Sequence, residues 1–353
     1  MTAMEHVERL ARERREQAQV IIRNVQQMAN IPAQEMLLAQ RRLPQNARVA
    51  LHFHPDRLDS RGLSVAAGLL QDGLYKSQFE THISNGQLSP ELGGPRDHWE
   101  NRVFGQAYKG TKLRPKYGAL DLGLWPDGPS PRFGSCYLLT CPEVLQRSSF
   151  CYLDSYRNPK EWGTLKQFDE VFAALLSESF ERHYALGRAD FKPAQLVHHL
   201  SRQLSLDPSA RFGGRASANL DHYIEVQVHG EVSLAEDVDY LVADPAFEGT
   251  DIGELLQRLA AEYEIDLCWH GGFRLHLAQI PSDFRGPAMP SLARRVAMDD
   301  YLDARALGLA AQALQRNPQL WRDRGSRELV AQELKLLWHV LVKYGEPSIG
   351  ERR

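Results

Sequence analysis

The sequence predicts an α+β fold: a mixed, mostly antiparallel central sheet flanked by helices, with an N-terminal helical extension and a helical C-terminal cap. Two observations predict it. Strand-length apolar runs such as "ARVALHF" and "HYIEVQVHG" are interleaved with helical patterns, without the regular strand–helix repeat of a parallel barrel. Both ends of the 353-residue chain read as helical, and the strand-like runs lie between them. The expected division is 1–45 for the extension, 46–280 for the α+β body that would carry chemistry, and 281–353 for the cap.

The elements follow in order. Residues 3 to 30 place Val7, Leu10, Ala11, Ala18, Ile21, Ile22 and Val25 at helical spacing, predicting one amphipathic helix that packs on the body. Pro32 interrupts it, and "PAQEMLLAQRRL" starts a second helix. "ARVALHF" reads as a strand and "SVAAGLLQDG" as a short helix ended by Gly73. Tyr75 to Arg132 is rich in Gly, Pro, Asn and Arg, yet holds Phe79, Trp99, Phe104, Tyr108 and Tyr117. Those aromatics predict an ordered, loop-rich pocket wall.

"GSCYLLT" and "SSFCYL" read as two strands around a turn at "CPEVLQR". Helices are expected in "TLKQFDEVFAALLSESFERHYAL" and "KPAQLVHHLSRQL". "HYIEVQVHGEVSL" and "DVDYLVAD" read as strands, and "TDIGELLQRLAAEYE" as a helix capped by Thr250. "IDLCWHGGFRLHL" reads as a short hairpin, and "YLDARALGLAAQALQR" and "RELVAQELKLLWHVLVKYG" as the closing helices.

A formal net charge of -3 supplies no global basic field for nucleic acid. The four cysteines, Cys136, Cys141, Cys151 and Cys268, form no C-x-x-C pair, so buried free thiols and a reducing compartment are expected. The N-terminus is charged from the outset, and no apolar stretch reaches about 18 residues. The expectation is a cytoplasmic protein with no membrane partner; delivery without a cleavable signal, as for a toxin or effector, is compatible with it.

Two stretches carry candidate chemistry. In "VALHFHPDRL", His52 and His54 fall on one strand face, where they suit a divalent metal, a ligand pocket or simple structural packing. In "HYIEVQVHG", Tyr223, Glu225, Gln227 and His229 share one face and Ile224, Val226 and Val228 the other. The apolar face seeks core; the polar face either meets solvent or holds a carboxylate rigidly beside an amide. "KSQFETHISNG" adds Ser77, Glu80, Thr81, His82, Ser84 and Asn85 as pocket candidates or a polar loop. The glycines of "GGP" and "RFGGR" lack the strand-then-helix context of a phosphate loop.

The strings "VALHFHPDR", "GLYKSQFETHISNG", "RPKYGALDL", "PRFGSCY" and "HYIEVQVHG", spanning about Arg48 to His276, resemble an uncharacterised bacterial family classed as a domain of unknown function. More remotely, the order of residue types resembles the ADP-ribosyltransferase superfamily. That resemblance implies NAD as substrate and an acceptor that is a protein, nucleic acid or small molecule. It implies Glu225 as the catalytic carboxylate, with Gln227 orienting the nucleophile. His52 or His54 and Ser135 would contact the NAD ribose, and Tyr117 would stack on nicotinamide. The chain departs from the superfamily pattern at Tyr223, where many members have Glu or Gln, and at Pro55 after the histidine pair. The competing expectations are a metal-dependent hydrolase using His52 and His54, and a non-enzymatic partner-binding protein.

Overall fold

The structure, a computed structural model, describes residues 1–81, 91–111 and 113–348. The pocket candidates His82, Ser84 and Asn85 lie outside the described residues.

Helix α1 (Ala3–Glu13) starts from a reciprocal cap in which the Glu5 backbone donates to Thr2 and the Thr2 backbone to Glu5. It is followed by α2 (Arg15–Met28) and α3 (Ala33–Asn46). The single helix expected over 3–30 is thus broken at Arg14. Its halves bury against different partners: Ala3 and Val7 join a cluster with Trp99, Phe104 and Trp162, while Ala18, Ile22 and Val25 enter the main core.

Strand β1 (Val49–Phe53) leads to α4 (Val65–Asp72), capped by Ser64 and closed by Gly73 at φ 63°. The stretch expected to be loops contains two short helices and a strand: α5 (Gln78–Thr81), α6 (Pro95–Val103) and β2 (Lys116–Leu120). Then come β3 (Cys136–Thr140), β4 (Ser148–Tyr152), β5 (Trp162–Thr164) and α7 (Asp169–Arg182). A small hairpin of β6 (Tyr184–Ala185) and β7 (Arg188–Ala189) precedes α8 (Pro193–Arg202). Next are β8 (Ile224–Val228), α9 (Leu234–Asp237), β9 (Val238–Ala243), α10 (Asp251–Glu262) and β10 (Asp266–Trp269). The chain closes with β11 (Arg274–His276), α11 (Met289–Val296), β12 (Tyr301–Asp303), α12 (Ala304–Arg316) and α13 (Arg327–Tyr344).

Eight strands form one sheet in the order β10-β9-β3-β1-β2-β8-β4-β5. Every neighbouring pair is antiparallel except β9 and β10, so the sheet is mixed and mostly antiparallel, with helices at both chain ends. Two expected pairings are corrected. β3 and β4 do not form a hairpin, because β1, β2 and β8 lie between them. β10 and β11 do not pair either: α10 carries the chain back so that β10 runs parallel to β9, and β11 pairs with β12.

One sheet face buries the main core through Leu51, Leu138, Phe150 and Val226. The other carries smaller clusters, one around Tyr137 and Val242 and one around Trp99 and Trp162. All four cysteines are free, with Cys136 and Cys151 buried. Among the described residues no helix is long and apolar enough to cross a membrane.

Gly134, just before β3, presses on β1. A Cβ there would lie 2.3 Å from the carbonyl carbon and oxygen of Phe53, which are backbone atoms and cannot swing aside. Gly134→Ala is expected to destabilise the fold by about 1–3 kcal/mol, a drop of several degrees in melting temperature. An unchanged melting curve would show that this contact does not fix β1.

Candidate functional site

The sheet opens in its middle. β1 and β2 pair only at Val49–Leu120 and Ala50–Ala119. Beyond that point Leu51, His52 and Phe53 stay with β3, whereas Gly118, Tyr117 and Lys116 stay with β8. At the fork a Cβ on Gly118 would meet the Ala50 carbonyl at 2.6 Å, so only glycine lets the strands converge there. A cleft follows the fork. Its wall includes His52 of β1, His54 just after it, Tyr117 of β2 and Glu225 of β8. Arg96 of α6, Ser130, Lys116 and Asp154 are also in its polar lining. The partly open space is about 130 Å³, the scale of a single aromatic ring.

Glu225 is 6% exposed. One carboxylate oxygen accepts the Ser155 backbone N–H at 3.0 Å, and the other accepts Gln227 Nε2 at 3.0 Å. Burial pushes its pKa up to about 7; the Asp154 charge adds to this, while Arg96, Ser155 and Gln227 oppose it. Arg96 donates to Ser155 Oγ at 3.2 Å and lies over the Tyr117 ring at 4.5 Å from its centroid. Its Nε has no hydrogen-bond partner among the described residues, whereas Nη1 of Arg57 lies 3.5 Å from the Asp56 carboxylate. Lys116 donates to the Gly230 carbonyl at 2.9 Å, a neutral partner. The cleft therefore holds a buried carboxylate of raised pKa among cationic side chains, with Asp59, Asp72 and Asp154 also in its lining.

A rigid cluster supports Tyr117 from behind. Its hydroxyl donates to Glu100 Oε1 at 2.7 Å, and Glu100 pairs with Arg114 at 2.8 Å. Arg114 also pairs with Asp97 at 2.6 Å and carries the Phe79 ring over its guanidinium. Helix α6 supplies Arg96, Asp97 and Glu100 together, so it sets the cleft wall from outside the sheet.

The residues expected from sequence divide between cleft and support. His52, His54, Tyr117 and Glu225 come together in the cleft wall. His52 has both nitrogens engaged: Nδ1 faces the Gly134 carbonyl at 3.2 Å, and Nε2 accepts the Ser130 N–H at 3.4 Å. Burial depresses its pKa to about 3, only partly offset by Gly134, so the ring is neutral. His54 packs edge-on against Trp338 of α13, with ring centroids 4.9 Å apart. The pair does not present two free imidazole nitrogens to a shared ion, and among the described residues no group of three or more His, Cys, Asp and Glu side chains is placed to hold a metal. Gln227 is fully buried behind Glu225 rather than facing the cleft. Ser135 lies outside the cleft lining, its carbonyl accepting His270 Nε2 at 2.8 Å; the candidates Ser77 and Thr81 reach the lining, as does Ser130.

Sequence reasoning missed Arg96, Ser130 and Ser155. The signal for Arg96 was present: Gly94-Pro95 is a helix start with proline at the first position, and Trp99 and Val103 follow at a spacing of four. Ser155 had no sequence signal, because what it gives Glu225 is a backbone N–H.

No curated protein matches the chain. A family model matches residues 48–344, and the chain belongs to that family, which is described as a protein of unknown function (DUF3626).

Proposed function

We propose that this member of an uncharacterised family is an ADP-ribosyltransferase-like enzyme that cleaves the nicotinamide–ribose bond of NAD and passes ADP-ribose to an acceptor. The observation that carries the reading is the convergence of His52, Tyr117 and Glu225, from three different strands, on one cleft at the fork of the sheet. A ring-sized space beside a half-buried tyrosine and a buried carboxylate suits a leaving nicotinamide and the cationic sugar it leaves behind. The cationic side chains of Arg57, Arg96 and Lys116 in the cleft lining suit a diphosphate. A whole dinucleotide exceeds this space; the cleft is partly open, so the remainder would extend from its mouth.

In this reading Glu225 stabilises the oxocarbenium-like ribose through its ionised carboxylate. The C–N bond breaks with its electron pair leaving on nicotinamide, and the acceptor nucleophile then bonds to the ribose carbon and loses a proton to solvent. Gln227 acts through Glu225, holding one oxygen in place. His52 shapes the wall by fixing Ser130 and Gly134, which leaves Ser130 to contact ligand.

The test is nicotinamide release from NAD by purified protein across pH. Ionised Glu225 is the active form, and its pKa is raised to about 7. Release is therefore expected to be low on the acid side, to rise through about pH 7 and to level off above it. A rate flat across this range would remove Glu225 from the chemistry.

A further inference from the structure

Behind Glu225 runs a hydrogen-bonded series that the reading above leaves unused. Glu225 Oε1 accepts from Gln227 Nε2, and Gln227 Oε1 accepts from Ser149 Oγ at 2.8 Å. Ser149 Oγ lies 2.9 Å from His229 Nε2, and His229 Nδ1 lies 2.6 Å from the Tyr108 hydroxyl. Gln227 and Ser149 are fully buried and His229 nearly so.

With Glu225 ionised, the donor inventory allows one proton arrangement. A carboxylate only accepts, so Gln227 turns its nitrogen to Glu225 and its oxygen to Ser149. The single hydroxyl proton of Ser149 is committed to that oxygen. His229 must then donate from Nε2, which leaves Nδ1 to accept from Tyr108. This requires a neutral imidazole, and burial, aided by Arg147, holds the His229 pKa at about 4. Every donor in the series thus points toward Glu225. An amide in the middle makes it a device for orientation and polarisation rather than proton passage.

The far end is held by the segment after α6. The Tyr108 ring lies parallel to His229, with centroids 6.0 Å apart and an interplanar angle of 7°. Phe104 meets His229 edge-on at 5.2 Å. Helix α6 itself carries Arg96, which donates to the hydroxyl of Ser155, whose backbone N–H holds Glu225. The remaining polar and titratable neighbours of Glu225 are Asp154 and Ser155 after β4, Cys151 of β4, Tyr117 of β2 and Tyr223 just before β8.

We propose that Tyr108, His229 and Ser149 are positioning residues for Glu225, holding its carboxylate through Gln227 and tying its readiness to the docking of the segment after α6. For turnover this rests on the reading of Glu225 as the acting carboxylate. The series itself is tested on the carboxyl group directly.

The experiment is an infrared pH titration of the Glu225 carboxyl band, identified by its loss in Glu225→Gln, in wild type, Ser149→Ala and Tyr108→Phe. Ser149→Ala breaks the series beside Gln227 and is expected to move the midpoint up by about one pH unit. Tyr108→Phe removes one half-buried oxygen and is expected to move it in the same direction by less. Where NAD is turned over, the rising limb of nicotinamide release moves with the band. An unchanged midpoint in both variants overturns the proposal. If Ser149→Ala does not fold, Tyr108→Phe decides alone. A shifted carboxyl midpoint with no nicotinamide release in wild type would sink the ADP-ribosyl reading and leave the series standing.

Discussion

Glu225→Ala is expected to reduce nicotinamide release by roughly 10²–10³-fold, the usual effect of removing one preorganised electrostatic group, while the protein stays folded. The carboxylate is held by two donors from fixed backbone and side-chain positions, Ser155 N–H and Gln227 Nε2, so it needs no reorganisation as charge develops on the ribose. Its removal leaves the Ser155 N–H unpartnered and Gln227 Nε2 with the Cys151 sulfur, at a cost of about 1–3 kcal/mol for the lost partner. It also relieves the burial of a charge in a site where burial has already raised the pKa. These opposing effects are why the fold should survive. Circular dichroism and gel filtration check the fold, and a fluorescence or chromatographic assay of nicotinamide checks the rate. A folded variant with wild-type release would transfer the chemistry to another group.

The second large effect is expected at Arg114, which contacts no ligand in the proposed mechanism. Its side chain is fully buried and pairs with a fully buried Glu100 and with Asp97. Arg114→Leu would strand the Glu100 carboxylate, whose pKa burial already raises against the pull of Tyr117 and Arg114. Leaving one member of such a pair behind typically costs about 3–5 kcal/mol. Denaturant unfolding should show a loss of that order. Adding Glu100→Gln to Arg114→Leu should recover much of it, because the stranded charge is then gone. A double variant as weak as the single one would place the damage in packing around Phe79 instead.

The sequence was most legible where one strand or helix carries its own explanation. The alternation in β8 separates Ile224, Val226 and Val228 from Glu225 and Gln227, and both sets lie where alternation puts them. Yet both faces are buried, because α6 and its following segment cover the polar side; a period of two says nothing about what covers a face. Thr250 and Gly73 act at helix ends as their residue types require. By contrast β2 was hidden, since Gly118 interrupts its short pattern, and that glycine exists because the Ala50 carbonyl leaves no room for a side chain. The false hairpin of β3 and β4 came from nearness in sequence, which cannot reveal that three strands insert between them.

The candidate site shows the same division. Tyr117, Glu225 and the two histidines were legible as residue types in order along the chain. Whether each faces the cleft depended on the fork between β1 and β2 and on the turn before β3, which favours Ser130 over Ser135. Gln227 shares the face of Glu225 as alternation predicts. Its burial depends on Ser149 and Cys151 of β4, which flank it.

The most direct measurement is calorimetric titration of NAD into folded Glu225→Ala, with Glu225→Ala/Tyr117→Ala as the comparison. The first variant keeps the cleft but removes the group that would turn NAD over, so binding is read without chemistry. The account predicts saturable, one-to-one binding that Tyr117→Ala weakens. No heat of binding to Glu225→Ala or to the wild-type protein would contradict it, and the cleft at the fork would then belong to a different ligand.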